Sequence, residues 1–376
     1  MIYLDYNATT PIDPAVKAAV LPYLSDAFGN PSSENQYGAE PRAALDEARR
    51  EVATLIRARD GHIVFTGSGS EADNLAIRGA VLAARAERPH VITQVTEHPA
   101  VLQTCRALER WHGADVTYLP VDSSGLVDPG DLDAAMTPRT ALVSIMAANN
   151  ETGALQPIAD LARTAHDYDA LFHCDAAQIL GKLPFDADAL GIDLVTVVGH
   201  KMYAPKGIGA LFVRSGVPLE PLVYGGGQEH GLRAGTENVA LAVGLGVAAR
   251  LASEHLSDRH RTQKLRDALH DRLVEALPGR VLLNGPSALR LPNTLNVSIN
   301  GTNGSELLRN APGIAASTGS ACHSHDPEPS PVLSAMGQDR TRALAAVRLS
   351  LGRSTTPDDI DAAADQLATA ARTGGD

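Results

Sequence analysis

The chain has 376 residues, and at roughly 150 residues per domain that length predicts two to three domains. Hydrophobic residues make up 44% and charged residues 20%, an ordinary globular composition, while 32 Lys and Arg against 44 Asp and Glu leave a net charge of −12. A field of that sign repels nucleic-acid phosphates and acidic membrane surfaces, so neither is expected as a direct partner.

No apolar run reaches about 18 residues, and Met1-Ile2-Tyr3-Leu4-Asp5 carries no basic segment followed by an apolar one. The expectation is a soluble, cytoplasmic protein. Cys105, Cys174 and Cys322 are odd in number and widely spaced, which argues against a disulfide framework and leaves each thiol to be judged alone.

In chain order, segment 39–58 places Ala44, Leu45, Ala48, Val52, Leu55 and Ile56 on one stripe and predicts a helix. A second helix is expected over 71–86, after the Gly-rich Thr66-Gly67-Ser68-Gly69-Ser70. Strand-like runs at 62–66, 91–95, 141–146, 170–174 and 194–198 lie mostly about thirty residues apart. That is the spacing of βαβ units and predicts an α/β fold with a largely parallel sheet. From 253 to 277 the pattern becomes a charged helix with Leu265, Leu269, Leu273 and Leu277 every fourth residue, stopped by Pro278-Gly279. The domain boundary is expected near its start. A large α/β unit then covers 12–252, and a smaller α+β unit comprises 1–11 and 253–376, with a strand within 294–301 and a last helix at 357–372.

Ligands of open α/β sheets bind beyond the carboxyl ends of the strands. The five runs are followed by Gly67-Ser68-Gly69-Ser70, Thr96-Glu97-His98, Asn149-Asn150-Glu151, Asp175-Ala176-Ala177-Gln178 and Gly199-His200-Lys201. Small residues just before a helix offer free N–H groups and the positive end of its dipole to a phosphate, although the same pattern also suits a plain capped turn. A buried Asp175 or Lys201 alone would read as half of an ion pair. Together, a phosphate cradle, an acid able to pair with a pyridinium nitrogen and a lysine able to form a Schiff base are the requirements of pyridoxal 5′-phosphate, PLP. His98, fixed before Pro99 at a strand end, offers a flat ring that could stack on a flat cofactor. Cys105 in a helix and Cys174 at the end of a buried strand read as inert core thiols. Cys322, within Ser317-Thr318-Gly319-Ser320-Ala321-Cys322-His323-Ser324-His325, reads as an accessible loop nucleophile. A metal site in that string is the weaker reading, because no second cluster at zinc spacing accompanies it.

The sequence resembles the PLP-dependent cysteine desulfurases and selenocysteine lyases, which are of the class V aminotransferase type with fold type I. The resemblance spans nearly the whole chain. It rests on LDYNATTP at 4–11, GNPSS at 29–33, TGSGSEADNLAI at 66–77, TEHPAV at 96–101, NNETG at 149–153, DAAQ at 175–178, GHKMYAPKGIGALFVR at 199–214, GGGQE at 225–229, RAGTENV at 233–239, SACHS at 320–324 and RLSLGR at 348–353.

The resemblance implies Lys201 as the Schiff-base lysine, Asp175 as the partner of the pyridine nitrogen, Gln178 as the donor to the ring hydroxyl and His98 as the stacking imidazole. It implies phosphate contacts from Gly69, Ser70 and His200, with Thr236 reaching in from the second subunit of a homodimer. It assigns substrate binding to Asn150 and Arg348, and persulfide formation to Cys322. The chain departs from the pattern at Val198, where many members carry a phosphate-binding Ser, and at Ser70, where many carry Thr.

The expected activity is conversion of L-cysteine to L-alanine, with sulfur passing through Cys322 to an acceptor protein such as an iron–sulfur scaffold or a thiolation protein. The Thr-Val-Val-Gly-His-Lys and Ala-Cys-His-Ser strings are closer to the selenocysteine lyase branch, which keeps release of selenium from L-selenocysteine as an alternative. A class V aminotransferase is the more distant rival, and a non-catalytic dimeric scaffold the most distant.

Overall fold

The computed structural model describes residues 1–84, 89–318 and 328–373. A short strand β1 (Ile2–Tyr3) precedes the seven strands of the central sheet. These are β2 (Gly61–Thr66), β3 (His90–Gln94), β4 (Asp115–Leu119), β5 (Thr140–Ser144), β6 (Leu171–Asp175), β7 (Leu194–Val198) and β8 (Gly209–Arg214). Their spatial order is β2-β8-β7-β6-β5-β3-β4. From β4 to β7 every pairing is parallel, and β8 runs antiparallel to both β7 and β2.

Side chains alternate across the sheet, as the two-residue period of a strand requires. Ile63, Phe65, Val195 and Val197 pack on one face with the helices Gln36–Leu55, Ile158–Asp167 and Val239–Glu254. Val64, Leu142, Leu194 and Leu211 pack on the other with Gly69–Ala83 and Pro99–His112. Both faces are covered, which is why these strands read as continuous apolar runs. Val239–Glu254, an apolar helix, lies against Gln36–Leu55, where a Cβ on Gly246 would collide with Ala48.

The expected helix at 39–58 runs from Gln36 to Leu55, because the Asn35 side chain accepts from the N–H groups of Tyr37 and Gly38 and starts it earlier. The helix expected at 71–86 begins at Gly69, with Ser68 as its cap. The Gly-rich string thus forms the cap and first turn. The charged helix is Arg259–Ala276, whereas residues 253 and 254 end the preceding apolar helix.

Leu265, Leu269, Leu273 and Leu277 are all buried, in a cluster that includes Leu4, Leu295, Val297, Val347, Ile360 and Leu367. This second core lies on a three-stranded antiparallel sheet in which β10 (Thr294–Ile299) runs between β9 (Val281–Leu283) and β12 (Ala346–Ser350). The N-terminal segment joins it: β1 pairs in parallel with β11 (Ile314–Ala315), and the Ser350 N–H donates to the Leu4 carbonyl at 2.7 Å.

Candidate active site

The carboxyl ends of β5, β6 and β7 open into a cleft of about 440 Å³, a size suited to a small cofactor. Gly69, Ser70, His98, Asn150, Asp175, Gln178, His200, Lys201 and Arg348 all line it, so nine of the residues singled out in the sequence meet at one place. Thr236 lies outside it, exposed in the loop ahead of Val239–Glu254. Cys322 and the Cys-His-Ser-His string fall outside the described residues. Cys105 and Cys174 are free, buried thiols, and burial pushes Cys105 up to about 12.

Asp175 is the last residue of β6 and is buried, with one oxygen accepting from the Ala177 N–H at 2.9 Å. Burial raises its pKa, while that N–H, His98 and Lys201 pull it down. Beneath it runs a row of buried polar side chains. Ser144 Oγ lies 2.8 Å from His173 Nδ1, and His173 Nε2 lies 3.0 Å from Thr196 Oγ1. Burial depresses His173 to about 3, so the ring is neutral and the row carries no cationic charge.

Lys201 ends the short 3₁₀ turn that follows β7, and its Nζ donates to the carbonyls of Asn7 at 2.5 Å and Ala8 at 2.9 Å. Burial, with the Arg348 charge, lowers its pKa to about 8. An amine so poised is a nucleophile over much of the neutral to mildly alkaline range. His98 caps the helix Pro99–His112, with Nδ1 accepting from the Ala100 N–H at 3.1 Å. The cap commits Nδ1 as an acceptor and leaves the ring open onto the cleft. His200, half-buried, has its Nδ1 3.1 Å from Thr9 Oγ1, and burial together with Lys201 lowers it to about 4.

The donor set fits PLP. The Glu71 N–H of the helix Gly69–Ala83 is taken by the Ser68 cap at 3.1 Å, while Gly69 and Ser70, which open the helix, line the cleft where first-turn N–H groups suit a phosphate. At the other end, a buried carboxyl with a raised pKa calls for a cationic partner, which a pyridinium nitrogen supplies. Val198 also lines the cleft, and a Cβ on Gly69 would collide with its methyl group. The phosphate end therefore has an apolar wall where the resemblance leads one to expect a hydroxyl.

Four polar residues around the cleft had no role assigned to them from the sequence. Asp73 lies one helical turn after Gly69 and lines the cleft; burial, reinforced by Asp175, raises its pKa well above the usual range. Glu97, adjacent to His98, is buried and pushed up to about 8. Asn7 supplies the carbonyl shared by Lys201 and Gln178, while its side chain reaches Thr294 at 2.9 Å and Asn293 at 3.0 Å. Lys182 donates to Gln178. The i,i+4 spacings Gly69–Asp73 and Gln178–Lys182 were the available signals.

The model of the aminotransferase class-V family matches residues 2–363. The cysteine desulfurase IscS of Dictyoglomus turgidum is 45% identical over 369 residues, covering 97% of this chain and 93% of the relative. A solved NifS-like protein superposes with a TM-score of 0.91 at 36% identity, covering 98% of both chains. A structure described as SspA in complex with cysteine superposes at 0.83 with 38% identity, covering 93% of this chain and 99% of the other. A match of this extent, on a cleft assembled from the expected residues, leads to the conclusion that the chain belongs to the class-V aminotransferase family, among its cysteine desulfurases.

Proposed function

We propose that the chain is a PLP-dependent cysteine desulfurase that converts L-cysteine to L-alanine and passes the sulfur through Cys322. The convergence of Lys201, Asp175, His98 and Gln178 on one cleft carries this reading. A chain of similar fold with cysteine bound supports the substrate. PLP, when bound, supplies an electron sink for negative charge developing at the substrate α-carbon.

The protein's residues do the rest. Asp175 would pair with the ring nitrogen and, ionised by that pairing, would keep the nitrogen protonated. Gly69, Ser70 and His200 would hold the phosphate, and His98 would stack on the ring. The Arg348 guanidinium and Asn150 take the substrate carboxylate, which fixes the α-carbon beside Lys201. The Lys201 amine then moves the α-proton. The Cys322 thiolate attacks the substrate sulfur; the carbon–sulfur bond breaks, a persulfide remains on Cys322, and the three-carbon remainder is released as alanine.

We place this chemistry in a homodimer with Thr236 serving the partner's phosphate. Leu24, Phe28, Tyr37 and Tyr224 are 66%, 73%, 70% and 71% exposed, an apolar display that favours burial against a second copy. The proposed units are 12–252, and 1–11 with 253–376, the second bearing Cys322. Free thiols at Cys105 and Cys174 suit the cytoplasm. An acceptor protein, such as an iron–sulfur scaffold or a thiolation protein, would take the sulfur.

Alanine release from L-cysteine, measured beside Lys201→Ala, tests the reading. Wild type forms alanine and the variant does not; equal release by both would overturn it. L-selenocysteine in parallel distinguishes the lyase alternative, which requires a clear preference for selenium.

A further inference from the structure

Gln178 is buried in the turn after β6, and its amide is held at both ends. Lys182, four residues on, sends its Nζ back to the Gln178 backbone carbonyl at 2.8 Å and to the Gln178 Oε1 at 3.1 Å. On the other side, the Gln178 Nε2 donates to the Asn7 carbonyl at 3.1 Å, an oxygen that also accepts from Lys201 at 2.5 Å. An amide oxygen and nitrogen have nearly the same shape, so only their partners decide which way the group faces. Here both partners vote alike. The Lys182 nitrogen donates and demands the oxygen; the Asn7 carbonyl accepts and demands the NH₂. Two carbonyls face Lys182 and both accept, so two N–H bonds meet the need whether the amine is charged or neutral.

Resting on the PLP reading, we propose that Lys182 is a positioning residue that locks the Gln178 amide with its NH₂ toward the cleft, so that Gln178 presents only a donor to the ring oxygen of PLP. A donor favours the ionised ring oxygen, whereas a flipped amide would place its own oxygen there and favour the protonated form. Lys182 itself does not line the cleft. Its effect passes entirely through Gln178.

The experiment compares purified wild type, Lys182→Met, Lys182→Arg and Gln178→Glu, each stripped and reconstituted with PLP. The readouts are the PLP dissociation constant, the pH midpoint of the visible absorbance of bound PLP, and the melting temperature of the apoprotein. Lys182→Met is expected to weaken PLP about tenfold and raise the absorbance midpoint by about one unit. Lys182→Arg keeps a donor at the oxygen and should stay at the wild-type midpoint. Gln178→Glu, which removes the donor, should shift the midpoint at least as far as Lys182→Met. Should Lys182→Met match wild type in both affinity and midpoint, the proposal is overturned. If Lys182→Met does not fold, a Lys182→Arg midpoint displaced as far as that of Gln178→Glu overturns it equally. A wild type that takes up no PLP would instead sink the underlying reading.

Discussion

Arg348 places its Nη2 2.7 Å from Asp5 Oδ1 and its Nη1 3.1 Å from the Asn150 carbonyl, so one guanidinium joins β12, the N-terminal segment and the loop after β5. Its Nε is buried without a hydrogen-bond partner among the described residues. A substrate carboxylate would meet a planar fork already oriented by two neighbours, with a donor in reserve. Lysine cannot make those contacts together. Arg348→Lys is therefore expected to raise KM for cysteine about tenfold or more with a smaller loss in kcat, as steady-state kinetics would show. An unchanged KM would remove Arg348 from substrate binding.

The apolar wall at the phosphate end makes a second expectation. Val198 packs against Gly69, at the start of the phosphate-facing helix. Val198→Ser supplies a hydroxyl there, and an added hydrogen bond to a charged phosphate should tighten PLP several-fold. Gly69→Ala forces a methyl into Val198 and should weaken it by a larger factor. Equilibrium titration of the apoproteins with PLP measures both, and weaker binding by Val198→Ser would show that this wall does not face the phosphate.

Lys201 sets a pH dependence. Its ammonium gives up a proton at about 8, well below the usual lysine value, because burial and Arg348 disfavour the charge. Below that pH only the neutral fraction can attack the PLP aldehyde, and that fraction falls about tenfold per pH unit. The rate at which the apoprotein acquires its visible absorbance on mixing with PLP should climb from pH 6 to 8 and then level. A flat profile would contradict the depressed value.

Glu97 gives the opposite sign, in stability. Burial holds its carboxyl up to about 8, against hydrogen bonds from the Met146 N–H and Gln94, and its Oε2 has no partner among the described residues. The folded protein keeps a proton that the unfolded chain releases near its ordinary value of 4.5. Stability from this group is thus full below that value and is lost as pH rises toward 8. Glu97→Gln retains the Oε1 acceptor without the ionisation. The melting-temperature difference between variant and wild-type apoproteins should widen in the variant's favour from pH 5 to pH 8. A difference independent of pH would show that Glu97 does not titrate in this window.

The sequence made the cleft legible because each central strand is an apolar run ended abruptly by polar residues. Leu194–Val198 followed by Gly-His-Lys, and Leu171–Cys174 followed by Asp175, reveal both a strand and its functional end. The edge strand Asp115–Leu119 was not legible: its residues are mostly half-buried and their alternation is too short to stand out. Nor was the reversed direction of β8, since a run such as Ala210–Val213 carries no mark of orientation. The buried groups Asp73, Glu97 and Lys182 were hidden for another reason. Charged residues on helices and turns are ordinarily solvated, and only the packing of Gly69–Ala83 and of the turns after β3 and β6 turns these inward. Asn7 was visible within a motif, but its work is done largely by a backbone carbonyl, which no side-chain pattern encodes.

The most direct test is to incubate the reconstituted enzyme with one equivalent of L-cysteine, trap the thiols and locate added sulfur by peptide mass spectrometry, with Lys201→Ala alongside. One extra sulfur atom on the peptide containing Cys322, matched by alanine and absent from the variant, is the predicted result. Alanine produced in full by a Cys322→Ala enzyme, or sulfur found on Cys105 or Cys174 instead, would contradict the account.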